Sequence, residues 1–204
     1  MKQGKLFVIS GPSGVGKGTI VTHIMKIHDA ALSVSMTTRK PRSVETEGVS
    51  YYFVSREEFE EKINNDGLLE YAEVFENYYG TPAEPVLEKM KAGINVILEI
   101  DVQGAMQVRR RFPESILIFI LPKNMAGLSE RIESRGTETK ENIAKRMEKA
   151  MAEIEYIENY DYYVINDLLD DAVAEVSAIM TAESLKVIND TREKMLVKMM
   201  EDTK

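Results

Sequence analysis

Four short apolar runs punctuate the chain: residues 6–10 (LFVIS), 95–100 (NVILEI), 116–121 (ILIFIL) and 162–165 (YYVI). Each is nearly continuous in apolar character, which predicts strands buried on both faces, as in a parallel sheet. Between the runs the period changes. From Thr19 onward Ile20, Ile24 and Ile27 recur at helical spacing, so a helix is expected directly after the first strand. Strands alternating with helices in this way imply βαβ units around a parallel sheet, an α/β fold.

Helix boundaries carry their own chemistry. Ser55-Arg56-Glu57-Glu58 precedes Phe59 and Ile63 and reads as a capping box, in which side chains satisfy orphan N–H groups of the first turn. Thr81-Pro82-Ala83-Glu84 repeats the pattern with proline at the first helical position. Gly93 is a natural stop for the helix that follows. Residues 139–159 and 168–200 are also expected to be helical. Residues 35–79 break the alternation, mixing LSVSMTT, a polar loop, YYFVS, one capped helix and LLEYAEVF. An insertion of that kind between core units has the look of a substrate-binding lobe.

Composition narrows the class. The 204 residues suffice for one α/β core with inserted lobes. There is no cysteine, which removes disulfides, thiolate metal sites and thiol nucleophiles. No apolar run reaches membrane-spanning length and the N-terminus lacks a signal-peptide core, so a cytoplasmic protein is expected. The formal charge of −8 argues against bulk nucleic acid, whose binding rests on phosphate contacts. A small anionic ligand remains compatible if the cations are gathered in one place. His23 and His28 lie on or just after the first helix and are read as surface or packing residues. Arg109, Arg110 and Arg111 read as a solvated helix end.

The chemistry begins at Gly11-Pro12-Ser13-Gly14-Val15-Gly16-Lys17-Gly18-Thr19, between a buried strand and a helix start. Glycines let successive N–H groups point inward around phosphate oxygens, the helix N-terminus adds positive field, and Lys17 reaches the β- and γ-phosphates. Glu99 and Asp101 close the strand NVILEID. Two positions apart, they are expected on one face at its carboxyl end, where ligands of open α/β sheets bind and where a carboxylate can order the water shell of Mg²⁺. A solvated strand end is the alternative.

Longer motifs carry a resemblance. Ser35-Met36-Thr37-Thr38-Arg39-Lys40-Pro41-Arg42, with Gly48, Tyr51 and Phe53, closely resembles the guanylate kinase signature. So do Glu70-Tyr71-Ala72, Asn77-Tyr78-Tyr79-Gly80-Thr81, Ile100-Asp101-Val102-Gln103-Gly104, Arg131, Arg135-Gly136-Thr137-Glu138 and Asn166-Asp167. The match runs in order over essentially the whole chain. It implies a P-loop nucleoside monophosphate kinase fold in a single domain: a core over about 1–34, 82–126 and 160–204, a GMP-binding lobe over about 35–81 and a helical lid over about 127–159. It implies transfer of the γ-phosphate of ATP to GMP, and to dGMP, by a monomer or homodimer with Mg²⁺ as cofactor and no nucleic-acid or membrane partner.

The resemblance also distributes roles. Residues 11–19 and Asn166 would bind ATP. Ser35, Glu70, Gly80, Thr81 and Asp101 would receive the guanine nucleotide, with Arg39, Arg42, Tyr51 and Tyr79 clamping its phosphate. Guanine presents N1–H and an amine as adjacent donors, and one carboxylate accepts from both. Lys17, Arg39, Arg131, Arg135 and Arg146 would carry catalysis. The residue after Lys17 is Gly18, where a hydroxyl usually binds Mg²⁺. The Gly-Lys-Gly-Thr form resembles adenylate kinases and some bacterial guanylate kinases, whose metal is held largely through water and nucleotide, with Glu99 and Asp101 as outer ligands here. Taken singly, Glu70 reads as a surface acid on a strand, and Arg39 or Arg42 as a solvated arginine. Two other readings stay open: a non-catalytic guanylate kinase-like module that binds phosphorylated peptides, and a kinase for another small acceptor such as AMP or shikimate. An intact glycine loop, Lys17 and the lid arginines weigh against the first; Glu70, Ser35 and the paired arginines weigh against the second.

Overall fold

The computed structural model describes residues 3–133 and 140–186. The chain runs β1 (Leu6–Ser10), α1 (Lys17–Ile27), β2 (Ala30–Leu32), β3 (Met36–Thr37), β4 (Tyr52–Phe53), α2 (Arg56–Asn64), β5 (Leu68–Val74) and β6 (Asn77–Pro82). It continues through α3 (Ala83–Lys91), β7 (Asn95–Glu99), α4 (Val102–Arg111), β8 (Ile116–Pro122), α5 (Met125–Glu133) and α6 (Lys140–Ile154). A 3₁₀ turn (Glu155–Asn159), β9 (Tyr162–Asn166) and α7 (Leu169–Leu185) complete it.

Five strands form a parallel sheet in the order β2-β7-β1-β8-β9. Alternation along β1 divides the core in two. Phe7 and Ile9 join Ile20, Ile24, Ile97, Ile118, Val176 and Met180 on one face; Leu6 and Val8 join Val86, Val96, Leu98, Leu117 and Val108 on the other. Helices therefore cover both faces, and β1 ends where this double-sided core is deepest. His28 packs as expected, with its Nε2 2.7 Å from Ser177 Oγ on α7.

Several boundaries differ from the sequence-based expectations. The strand Ala30–Leu32 was not foreseen: its three residues lie on a sheet edge, where little burial marks them. β9 is not buried on both faces. Its burial alternates, with Tyr163 and Ile165 exposed, because β9 is the other edge. The capping box at Ser55 and Glu58 forms with both bonds, whereas the one at Thr81 does not. Pro82 itself caps α3 without a side-chain bond, and the Thr81 hydroxyl donates to Glu70 instead. Gly93 ends α3 at φ 87°, where Ile94 N–H reaches Lys89 O and Gly93 N–H reaches Met90 O, a Schellman motif. Helix α7 ends at Leu185, where Lys186 caps it with φ −58° and ψ 130°, so the helix expected over 168–200 is interrupted there; residues 187–200 lie outside the described residues.

A second sheet of four strands, in the order β4-β3-β6-β5, accounts for the insertion. Two of its strands, β3 and β4, are only 2 residues long, so the sheet depends on its own small core. Phe59 of α2, fully buried, stacks on Tyr78 at 5.1 Å and meets Tyr71 edge-on at 6.5 Å. Replacing Phe59 with Ala should cost about 3–5 kcal/mol, read as a lowered midpoint in urea unfolding followed by tyrosine fluorescence.

Candidate active site

The loop after β1 is shaped by what lies against it. Gly11 and Gly16 have φ of 139° and 101°, a region open to glycine. A Cβ on Gly11 would strike the Ile120 carbonyl, and one on Gly16 would stand 2.5 Å from Asn166 Nδ2. Helix α1 starts at Lys17, two residues earlier than its apolar period suggests, with Gly16 as N-cap and no side chain bonded to its first amides. Those amides are thus left for an anion, as the macrodipole favours.

Other elements converge on this loop. Asn166, at the end of β9 and 5% exposed, donates its amide to Val15 O at 2.8 Å. Arg131 of α5 donates to Val15 O at 3.2 Å and to Asn166 O at 3.1 Å, and Arg146 of α6 donates to Ser13 Oγ at 2.7 Å. Asn166, associated by resemblance with ATP, thereby holds the loop from below. Arg135 lies outside the described residues. Lys17 folds over the loop, donating to Gly11 O at 2.6 Å and Pro12 O at 3.2 Å. Burial pushes its ammonium below the usual lysine range, against the opposing pull of Glu99, Glu153 and Asp101.

The expected pairing of Glu99 and Asp101 on one strand face is not what forms. β7 ends at Glu99. Asp101 turns out of the strand to cap α4, its Oδ1 accepting from Gly104 N–H at 2.9 Å, because the helix start supplies donors that a strand end does not. Both carboxylates nevertheless face Lys17 closely enough to act on it. Glu99 lies over Gly18, where an added Cβ would sit 3.3 Å from Oε1. No group of three metal-ligating side chains exists among the described residues. Hard oxygen donors beside a phosphate loop, without a protein cage, fit Mg²⁺ carried in by a nucleotide.

Across from the loop stands Glu70 on β5. It faces Thr81 across the β5–β6 ladder, which brings the Thr81 hydroxyl to 2.6 Å from Oε1. The residue is 8% exposed, and among the described residues no cation pairs with it. Burial pushes its carboxyl up to about 7, Asp101 adding to the rise and Thr81 opposing it. Gly80 and Gly104 pack around it: a Cβ on Gly104 would stand 3.0 Å from Oε2. Ser35 lies just ahead of β3, its carbonyl accepting from Tyr52 N–H.

A basic and aromatic group lies beyond. Arg39 stands 5.6 Å from the Tyr51 ring centroid, and Tyr51 meets Tyr79 edge-on at 6.1 Å. Arg39 also makes a two-pronged bond to Glu45 at 2.8 and 3.0 Å, and Glu45 accepts from Arg42 N–H at 2.7 Å. The solvated reading of Arg39 is thereby replaced by a braced guanidinium. Glu45 escaped the sequence reading, since one acid in a polar loop gives no signal until the loop folds back. Glu153, buried on α6 and acting on Lys17, gave no signal because it is one acid among many on a highly charged helix.

A family model described as Guanylate kinase matches residues 3–183. The chain belongs to the guanylate kinase family. A guanylate kinase of Clostridium acetobutylicum is 52% identical over 186 residues, covering 91% of this chain and 89% of its own. One of Latilactobacillus sakei is 50% identical over 198 residues, covering 95% and 98%. The crystal structure of guanylate kinase from Anaplasma phagocytophilum superposes with a TM-score of 0.73 at 34% identity, over 91% of this chain and 89% of that one. The P-loop α/β fold expected for guanylate kinases is therefore the fold this chain has.

Glu70 makes a prediction about the free protein. Its carboxyl rises from an ordinary 4.5 to about 7, so folding favours the neutral acid. That contribution is intact below pH 4.5 and is lost as pH climbs through 7. Glu70→Gln removes the penalty. The variant should be more stable than the native chain at pH 8 by about 2–3 kcal/mol, and should show no such gain at pH 4, in urea unfolding of the ligand-free protein.

Proposed function

We propose that the chain transfers the γ-phosphoryl group of ATP to GMP, giving ADP and GDP, with each half of the site holding one nucleotide. The observation that carries this reading is the buried Glu70 carboxyl, uncompensated by any cation among the described residues and facing the phosphate loop across Asp101. Such a group is costly unless a ligand supplies donors. Guanine supplies two, N1–H and the exocyclic amine, and the entering base restores the ionised form. Adenine offers no N1–H, so AMP would leave the acid unpaired, a mismatch that discriminates by about 10⁴-fold or more. Ser35, Gly80 and Thr81 complete the base pocket, and Asp101 lies between the two nucleotides.

The GMP phosphate is received by Arg39, Arg42, Tyr51 and Tyr79, with Glu45 fixing the Arg39 fork. Lys17 leaves the carbonyls of Gly11 and Pro12 to grip the β- and γ-phosphates, and the loop amides of residues 11–19 surround the remaining oxygens. Arg131, Arg135 and Arg146 come from the lid, about 127–159, and place positive charge around the transferring group. Arginines in that role contribute about 10³-fold or more in rate. Glu99 and Asp101 would hold the water shell of Mg²⁺, which would supply charge neutralisation on the phosphates.

No general base is required. A phosphate monoester has a second pKa of about 6, so the attacking oxygen arrives ionised at neutral pH. What the protein contributes is alignment and charge. A GMP oxygen forms its bond to the γ-phosphorus as the bond to the β,γ-bridging oxygen breaks, and the electron pair departs with ADP. Closure of lid and lobe over the reactants excludes water, whose attack would waste ATP. No helix among the described residues is long and apolar enough to cross a membrane; we read the chain as a cytoplasmic monomer or homodimer that uses dGMP as well.

Coupled detection of ADP with GMP, AMP, CMP or UMP as acceptor tests the assignment. Turnover should be confined to GMP, and release of ADP with AMP in preference to GMP would end the reading. Lys17→Ala should lower kcat by about 10³-fold or more while GMP binding, read by calorimetry, survives. Equal loss of both would contradict the separation of the half-sites. The KM for GMP should fall as pH rises through 7, and Glu70→Gln should abolish that dependence while weakening GMP about 100-fold.

A further inference from the structure

Strand β5, which carries Glu70, is the outer strand of the lobe sheet. Its inner edge pairs with β6, and its outer edge would ordinarily present unpaired N–H and C=O groups. Helix α4 of the core lies along that edge and meets it through one stripe, residues 104, 107 and 111, spaced to share a helical face.

Each member of the stripe does something different. Gly104 is bare, which leaves room for the Glu70 carboxylate. Gln107 acts as a substitute strand: its Nε2 donates to Tyr71 O at 2.8 Å and its Oε1 accepts from Tyr71 N–H at 3.2 Å. Arg111 donates to Leu68 O and pairs with Asp66. This corrects the reading of a solvated helix end for Arg111, while Arg110 is exposed as expected. Arg109 likewise bonds Pro113 O, Ser115 O and Asp161, since the carbonyls near a helix C-terminus and a strand edge both need donors.

The backbone is thus pinned on both sides of Glu70, two residues before it and one after, by side chains of a core helix. The same helix is capped by Asp101, which acts on Lys17. Resting on the guanine-recognition reading above, we propose that Gln107, supported by Arg111, is a positioning residue for guanine selectivity, setting where the Glu70 carboxylate stands relative to the phosphate loop. Neither side chain reaches the reacting atoms. Their effect is exerted on Glu70 through the backbone of β5, and a shift of about 1 Å in such a group is enough to cost up to about 100-fold.

The stripe is open to solvent on its far side, where Tyr71, Gln103, Gln107, Arg110 and Arg111 line a polar cavity of about 320 Å³. Water can therefore replace the Gln107 amide at Tyr71, and Gln107→Met, which keeps length but loses both bonds, leaves no dry unpaired amide behind. The experiment compares native chain and Gln107→Met in steady-state assays with ATP and either GMP or its 2-deamino analogue, inosine monophosphate. The expected result is a rise of at least about tenfold in KM for GMP. The KM for ATP should stay within about twofold, kcat should change much less than KM, and the preference for GMP over inosine monophosphate should shrink. An unchanged KM and preference would overturn the proposal. So would a uniform loss with both acceptors accompanied by weaker ATP binding, since that is what simple loosening of the fold produces. If Gln107→Met proves unstable, Arg111→Met with hydrogen exchange at the Glu70 and Tyr71 amides replaces it. Faster exchange with reduced preference supports the proposal, and native values of both refute it. A native chain that prefers AMP would remove the underlying reading itself, an outcome distinct from a guanine-selective native chain with an indifferent variant.

Discussion

Burial of one carboxyl group with no counter-charge among the described residues constrains the rest of this site. Glu70 sits in a lobe whose core is little more than Phe59, Met36, Leu68 and the rings packed around them, so the lobe has scant stability from which to offset it. The surroundings respond in the ways open to a folded chain. A hydroxyl is turned toward the acid from Thr81, glycines replace side chains where it needs room, and its proton is retained toward neutral pH. None of these would be needed if the carboxyl were there for stability alone. Specificity here is a cost carried by the free protein and relieved by the correct base.

The opposite half of the site is governed by an excess of donors. The amides at the start of α1 carry no side-chain cap, the Lys17 ammonium is held against carbonyls of its own loop, and Arg131 and Arg146 bond the same segment from outside. The loop is thereby kept in shape by cations that a triphosphate would recruit. The acids around Lys17 moderate that charge, and Asp101 acts on both Lys17 and Glu70. Two pockets of opposite chemical need therefore share one carboxylate at the head of α4.

Much of this was legible in the sequence because the signals are local. LFVIS, NVILEI and ILIFIL are core strands since both faces of the sheet are covered, and the glycine loop announces itself by residues whose φ values few others tolerate. The Ser55 capping box is likewise a matter of four adjacent residues. What stayed hidden depends on distant partners. Thr81 looked like a helix cap until β5 brought Glu70 opposite it. Asp101 looked like a strand residue until the helix after it needed a cap. Glu45, Gln107 and Glu153 have no periodicity or motif of their own within the chain; each acquires meaning from a group 6 or more residues away.

The join between the two sheets has a mechanical consequence. On one side β6 runs into α3 without a spacer, at Pro82, whose φ of −63° is fixed by its ring. On the other, Ser33 N–H is tied to Ile97 O in the core, and the Ser35 carbonyl is tied to Tyr52 N–H in the lobe, so Val34 alone lies between the two anchors. With β5 also tied to α4 through Gln107 and Arg111, swinging the lobe resembles turning a door on short pins rather than bending a strap. The torsions that bring the two nucleotides together are confined to a few backbone bonds, and the path of approach is correspondingly narrow.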